Sequence, residues 1–423
     1  MAQRLAVAGS LPRLTVQDRA PIRVGVLVPL SGSEERWGRP GVKGCRLWVD
    51  WINAHGGMMV AGRRHLVELI VEDSAAGPEG ALEAARRMVE MQRVRLVMTL
   101  GGGELGLALA YLMQRRVLTA TLLPTDLSPD HPYLIAPAEV HPFFNVTGVD
   151  WLARHYPEAR RMAMCSQTDL MGLPSLATYR AAFKVAAREI VAEVSYDPDT
   201  ADAVQIVARL MASDPDVLCW CSSAPPMVEA LTVAAFEAGF TGQILSCTCD
   251  NYQRLIARTS PEFMERVIFQ FPDFDDPKLG DSAFFFHRPK AFFDSYNERF
   301  PGLWSAVSWE YAFILDLWHE AVETADSLTP STVLTALKRG RRMPHAFGLA
   351  TWWGTEVFGI DNALVGDWPV VTIREGKARI QEFGSVLDWL KVNGPLLAAE
   401  LGALNQLWHQ RAKPDLAQAL ADD

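Results

Sequence analysis

The densest cluster of reactive side chains in this sequence is two Cys-x-Cys pairs, Cys219/Cys221 and Cys247/Cys249. Each falls at an apolar run that reads as a strand, and a period of two puts both thiols of a pair on one face. Neighbouring strands would bring four sulfurs together as metal ligands. The spacing is shorter than the C-x₂₋₄-C of zinc sites, so buried free thiols acting as small apolar residues are the plainer reading. The histidines are dispersed, and no two stand four apart as on a zinc-binding helix. G-x-S-x-G, H-E-x-x-H and G-x-x-x-x-G-K-[ST] do not occur, so the motifs imply neither a catalytic centre nor a cofactor. What remains are residues of the loops that follow apolar runs: Trp37, Gly102, Gly103, Glu104, Thr125, Asp126, Met171, Ser222, Ser223, Thr248 and Asp250. Hydroxyls and peptide N–H groups can orient a solute, carboxylates can hold a cation, and an indole can cover an apolar face. That is the chemistry of binding rather than turnover.

The elements that must position these groups alternate strand and helix. An apolar run from Ile22 ends in Pro29-Leu30-Ser31-Gly32, a loop carries Trp37, helix Arg39–His55 stops at Gly56-Gly57, and a second run ends in Glu72-Asp73. This strand–loop–helix–strand order opens a parallel α/β sheet, whose ligands sit outside the carboxyl ends of the strands. The series continues to Ala136, and a second of similar length runs from Pro142 to Asp250. Gly101–Gly103 opens a helix, so its N–H groups are candidates for a carboxylate or carbonyl oxygen. Thr125 is either a contact or a turn residue, and Asp250 either a contact or the N-cap of the following helix. Beyond Asp273 the pattern predicts helices Ala283–Arg299, Leu303–Ala325 and Pro330–Arg339, then turn-rich strands over Phe347–Glu375. Trp309 reads as helix core, and at most one of Trp352 and Trp353 can face a cleft. An amphipathic tail with Leu390, Leu397, Leu401, Leu404 and Trp408 either packs on the body or makes a homodimer contact.

A chain of 423 residues is too long for one small core, so two lobes are expected. With 49% hydrophobic residues, 21% charged residues and a net charge of −10, it lacks the basic blocks that nucleic acid or anionic membranes would need. No apolar run is long enough to span a bilayer. Met1–Ala20 has no apolar core of secretory-signal length, although Ala6-Val7-Ala8 fits a cleavage pattern.

The opening segment resembles the type I periplasmic solute-binding proteins of ABC transporters, the family of branched-chain amino acid and amide/urea receptors. The shared parts are Pro29-Leu30-Ser31-Gly32, Trp37-Gly38, Ile52-Asn53-Ala54-His55-Gly56-Gly57, Gly62-Arg63 and Glu72-Asp73, in the same order over about fifty residues. The resemblance extends by pattern to about Lys377. It implies a two-lobed α/β fold, each lobe a mostly parallel sheet flanked by helices, with three crossings near Ala136–Glu139, Phe269–Phe271 and Pro344–Gly348. The lobes would comprise 21–138 with 271–344 and 139–270 with 345–384, flanked by an N-terminal extension (1–20) and a helical tail (385–423). It further implies a small-molecule ligand, permease subunits as partners, no enzymatic activity, and a periplasmic location if a signal peptide precedes this sequence; otherwise the location would be cytoplasmic.

By the same resemblance Trp37 packs on the ligand's apolar part and Thr125 meets it with a hydroxyl or backbone group. Three positions depart from the amino-acid receptors. Met171 stands for a tyrosine, Ser223 for an aromatic residue, and Thr248 for the glutamate that pairs with an α-ammonium. A buried ammonium needs a carboxylate, so either Asp250 or Glu104 replaces it or the ligand is not a standard α-amino acid; the second is the expectation. Two rival readings are a cytoplasmic ligand sensor of the same fold that regulates a partner protein and, with less support, an α/β enzyme.

Overall fold

The computed structural model describes residues 20–411 apart from Ser33, Ala76, Asp199, 281–288 and Arg341, and beyond them residues 413–415, 417 and 419. The N-terminal extension, and with it Ala6-Val7-Ala8, lies outside the described residues, as does the start of the helix expected at Ala283.

Two sheets form the body. The first orders strands Val67–Asp73, Ile22–Val28, Val97–Thr99, Thr119–Thr121 and Leu134–Ile135, all parallel. The second orders Lys377–Ser385, Asp367–Arg374, Val267–Phe269, Gln243–Ser246, Val217–Trp220, Arg161–Gln167 and Glu189–Tyr196. Its first two strands run antiparallel at one edge, and the remaining five are parallel. Helices cover both sheets, as a parallel sheet with two apolar faces requires. The fold is the expected two-lobed α/β architecture.

The chain passes from the first sheet to the second beyond Ile135, leaves the second after Phe269, and re-enters it at Asp367. These passages are tied together. Ala136 N–H donates to Asn362 O and Leu364 N–H to Ala136 O, both at 2.9 Å. The His345 ring bonds Ala138 O through Nε2 at 2.9 Å. Trp368 Nε1 donates to Gln270 O at 2.9 Å.

Local chemistry explains the opening motif. Asp73 accepts the N–H of Leu30 (2.8 Å) and Ala75 (2.9 Å) and the hydroxyl of Ser31 (2.8 Å), and so clamps the Pro29–Gly32 turn to the next strand. Against its partial desolvation, these donors hold the Asp73 carboxyl below the ordinary range. The first helix runs Glu35–Ala54, one turn earlier than Pro40 suggests. A proline reads as a first-turn residue because its missing N–H is harmless there. Here the extra turn is held by tight packing, since a Cβ on Gly38 would lie 1.7 Å from Pro29 O. Trp37 therefore stands on helix, not in a loop.

The same helix crosses Val307–Ala325 closely. A Cβ on Gly41 would fall 2.2 Å from the Tyr311 ring, and one on Gly44 would fall 1.9 Å from Ser308 O. Small residues one turn apart let the backbones approach, and this sets the position of Glu310 between Trp309 and Tyr311. Trp309 is core, packed among Phe274, Phe347 and Trp368. The C-terminal helix Val386–Ala403 packs on helices Gly172–Val185 and Val146–His155.

Candidate functional site

Strand ends from both lobes meet around a narrow cavity of about 50 Å³. Trp37 comes from the first turn of its helix, Leu100, Leu122 and Leu123 from the ends of first-sheet strands, and Ala306, Val307 and Glu310 from the start of the helix packed on it. The opposite wall carries Met171, Ser222, Ser223, Cys247 and Thr248. Glu139, His141 and Phe271 come from the passages between the sheets. No Lys or Arg is among the described lining residues.

Two carboxyls dominate the interior. Glu139 and Glu310 are 5% and 1% exposed and lie within hydrogen-bonding reach of each other. Burial pushes both above the ordinary carboxylate range, and Asp250 nearby pushes in the same direction. Glu139 Oε2 and Glu310 Oε1 have no hydrogen-bond partner. Burial likewise lowers His141 to about 3 and keeps it neutral. Its Nε2 and Ser222 Oγ are hydrogen-bonded at 2.7 Å, while Nδ1 has no partner. Unmet polar atoms around one small space are what a cavity built for a solute would leave, because burying them unpaired costs stability.

Of the residues singled out in the sequence, Trp37, Met171, Ser222, Ser223 and Thr248 come together at this cavity. Ser222 N–H donates to Ser175 Oγ at 2.9 Å while its hydroxyl is bonded to His141, and Ser223 Oγ bonds Tyr196 Oη and donates to Cys221 O, so both hydroxyl positions are fixed by contacts within the protein. Asp250 lies behind Thr248, outside the cavity. One oxygen accepts Ala306 N–H at 3.2 Å and the other lacks a partner. Burial raises its pKa to about 6. Asp250 does not cap its own downstream helix; the N-cap there is Asn251. It instead meets the N-terminus of helix Val307–Ala325 across the cleft, where the helix dipole favours a negative charge.

Gly102, Glu104, Thr125 and Asp126 are absent from the cavity lining. Gly102 N–H donates to Asp126 Oδ2 at 2.9 Å, so that donor serves the fold. Gly102 and Glu104 lie at a broader mouth of about 620 Å³, together with Glu34 and Asp169. Desolvation, and then the Asp169 and Glu104 charges, raise the Glu34 pKa. Thr125 and Asp126 face an outer groove of about 960 Å³ between helix Gly106–Gln114, the Asp126–Pro132 loop and tail residues Trp408, Arg411 and Lys413, which meets the mouth at Gly102 and Leu170.

Trp353 is buried in the body, Trp352 Nε1 donates to Leu337 O at 2.9 Å, and neither lines the cleft. All six cysteines are buried and free. No cluster of three or more His, Cys, Asp or Glu side chains able to hold a metal ion occurs among the described residues. No helix among them is long and apolar enough to cross a membrane.

The acids at positions 139 and 310 did not stand out in the sequence. Their signal was there: each is a lone carboxylate in an apolar stretch, LIAPAEVHPFF and SAVSWEYAFIL. Glutamate is almost never fully buried without a partner.

Two α/β lobes that exchange chain segments and share a cleft define the class of two-lobed binding proteins, in which capture of a solute and closure are coupled. The chain belongs to the periplasmic binding protein family, whose model matches residues 21–378. Among solved structures it is similar to an ABC transporter substrate-binding protein from Sphaerobacter thermophilus (21% identity, 86% of this chain and 98% of that one, TM-score 0.69). It is similar also to a solute-binding protein of an ABC transporter from R. palustris in complex with 4-hydroxybenzoate (17% identity, 86% and 96%, TM-score 0.68). A third is a leucine-binding protein from Thermotoga maritima (16% identity, 86% and 99%, TM-score 0.66). No curated protein matches the chain in sequence.

Proposed function

We propose that this chain is the solute-binding receptor of an ABC importer and that it closes on a small organic solute that is not a standard α-amino acid. The observation that carries this is the inter-lobe cavity, lined from both lobes and holding unmet polar atoms at Glu139, His141 and Glu310. Trp37, Met171, Ser222, Ser223 and Thr248 are its proposed contacts, with 21–138 plus 271–344 and 139–270 plus 345–384 as the closing bodies. Permease subunits would read the closed form, and the receptor would work in the periplasm.

The relatives differ in what they bind, and this cavity suits neither of the two named solutes well. A benzoate would place its carboxylate beside Glu139 and Glu310, with no Lys or Arg on the wall. A leucine α-carboxylate meets the same difficulty, and the Gly102 N–H is already committed to Asp126.

A thermal-shift screen of amides, amines, organic acids and amino acids tests the reading. A solute at 100 times its Kd adds about 2.7 kcal/mol of stability, visible as a raised melting temperature. Small-angle scattering should show compaction with the same solute. Product formation in a turnover assay, or a broad screen without any stabilising solute, would defeat the proposal.

A further inference from the structure

We infer that the solute carries a positively charged nitrogen and no carboxylate, and that Glu139 and Glu310 hold it between them against the faces of Trp37 and Phe271. This rests on the receptor reading and names the ligand class for the same cavity.

Three independent features converge. The first is the acid pair, two carboxyls from separate parts of the chain with one unpartnered oxygen each, both buried on the cavity wall. Two carboxyls side by side share a proton or a cation; a bound cation removes the repulsion that otherwise keeps one of them protonated. The second is aromatic: Trp37 and Phe271 line the space, and an aromatic face attracts a cation that has left water. The third is the approach. The mouth carries Glu34, Glu104 and Asp169, with no Lys or Arg among its described lining residues, so the acids there favour the approach of a cation.

Size narrows the class. At roughly 10–15 Å³ for each water-sized position, the 50 Å³ cavity holds on the order of three to five non-hydrogen atoms. Guanidinium, acetamidinium and small methylated ammonium ions fit that limit. The flat cations also present N–H donors in the directions a carboxyl pair accepts. The hydroxyls of Ser222, Ser223 and Thr248 and the neutral His141 ring complete a wall that can orient donors without adding positive charge.

Guanidinium and urea have nearly the same shape and differ in charge, and so do acetamidinium and acetamide. The purified full chain is titrated calorimetrically with each at millimolar concentration, in two buffers of different ionisation enthalpy, and melting temperatures are measured in parallel. The cations should bind and raise the melting temperature, and the neutral isosteres should not. Cation binding should release protons, because the groups facing the solute (Glu139 and Glu310, with Asp250 behind Thr248) give up the proton they share, while His141 is already neutral and the Cys247 thiol stays protonated. Glu310→Gln and Glu139→Gln should each weaken cation binding about thirtyfold or more. Urea or acetamide binding as tightly as its cation, or cation binding without proton release, overturns the inference and leaves the receptor reading standing. Proton release is read on the unsubstituted chain, so the test survives a variant that fails to fold. Failure of every solute in the wider screen would defeat the receptor reading itself.

Discussion

The inter-lobe cavity and the groove beneath the C-terminal tail invert the usual relation between size and function. The groove is about 960 Å³, the cavity about 50 Å³. Yet most polar groups along the groove already serve the fold. Asp126 accepts Gly102 N–H, its backbone carbonyl bonds His131 Nδ1 at 2.8 Å, Asp130 pairs with Lys413 at 2.6 Å, and Arg411 donates to Gln406 O at 2.6 Å. Burial raises the Asp126 pKa, and the Gly102 donor and the nearby Arg411 charge oppose it. Among the described residues, Thr125 Oγ1 and Arg411 Nε are the buried atoms there without a partner. In the cavity, two carboxyls and an imidazole have capacity to spare, enclosed by walls from both lobes. A groove can form wherever a tail crosses a surface. Unmet polar atoms buried in one small space persist only where something offsets their cost.

Filling each region in turn separates the two most sharply. Thr248→Trp should abolish solute stabilisation, a loss of more than about 3 kcal/mol at saturating solute, whereas Ala110→Trp in the groove should leave it intact. Thermal shift reads both. Next comes the pH dependence of the solute-free protein. Glu139 and Glu310 have raised pKa values in the folded state, so above the ordinary carboxylate range the folded chain binds more protons than the unfolded one. Their contribution to stability is complete at low pH and is lost as pH rises through the folded values. Urea denaturation from pH 6 upward should therefore show a decline that Glu310→Gln makes shallower. His141 and His345, lowered to about 3 and about 4, act in a separate window, losing stability as pH falls below the ordinary histidine range. A smaller effect is expected from Trp37→Phe, which keeps a ring but weakens the attraction for a cation by about 1 kcal/mol in calorimetric affinity. Least of all, Lys413→Ala should change stability by no more than about 1 kcal/mol, because its ion pair with Asp130 is exposed to solvent, and should leave solute affinity unchanged.

Much of the fold was legible because its signals are local. Alternating apolar runs and glycine stops place strands and helices, and Gly239 does close helix Pro225–Glu237 in a left-handed conformation (φ 73°). The Pro29–Gly32 turn and Glu72-Asp73 prove to be one clamp, with Leu30 and Asp73 standing 43 residues apart. The first helix began a turn earlier than Pro40 implied because packing of Gly38 against Pro29 outweighed the proline signal. One wall of the cleft could be read from residues that follow strands, namely Met171, Ser222, Ser223 and Thr248. That the two lone acids face each other could not. Helix Val307–Ala325 is buried on nearly every side, so its periodicity does not say which way Glu310 points. Glu139 sits where the chain passes between sheets, and only the tertiary fold brings it to Glu310. Thr125 and Asp126 follow a strand just as the cleft residues do, yet they turn to the outer groove; strand order alone does not reveal that.

Hydrogen exchange with and without millimolar guanidinium chloride puts the cavity and the groove in one experiment. The predicted result is slower exchange at 139–141, 171–172, 222–224 and 306–311, with 106–114 and 405–411 unchanged. Protection confined to 106–114 and 405–411 would contradict the account and move the site to the groove.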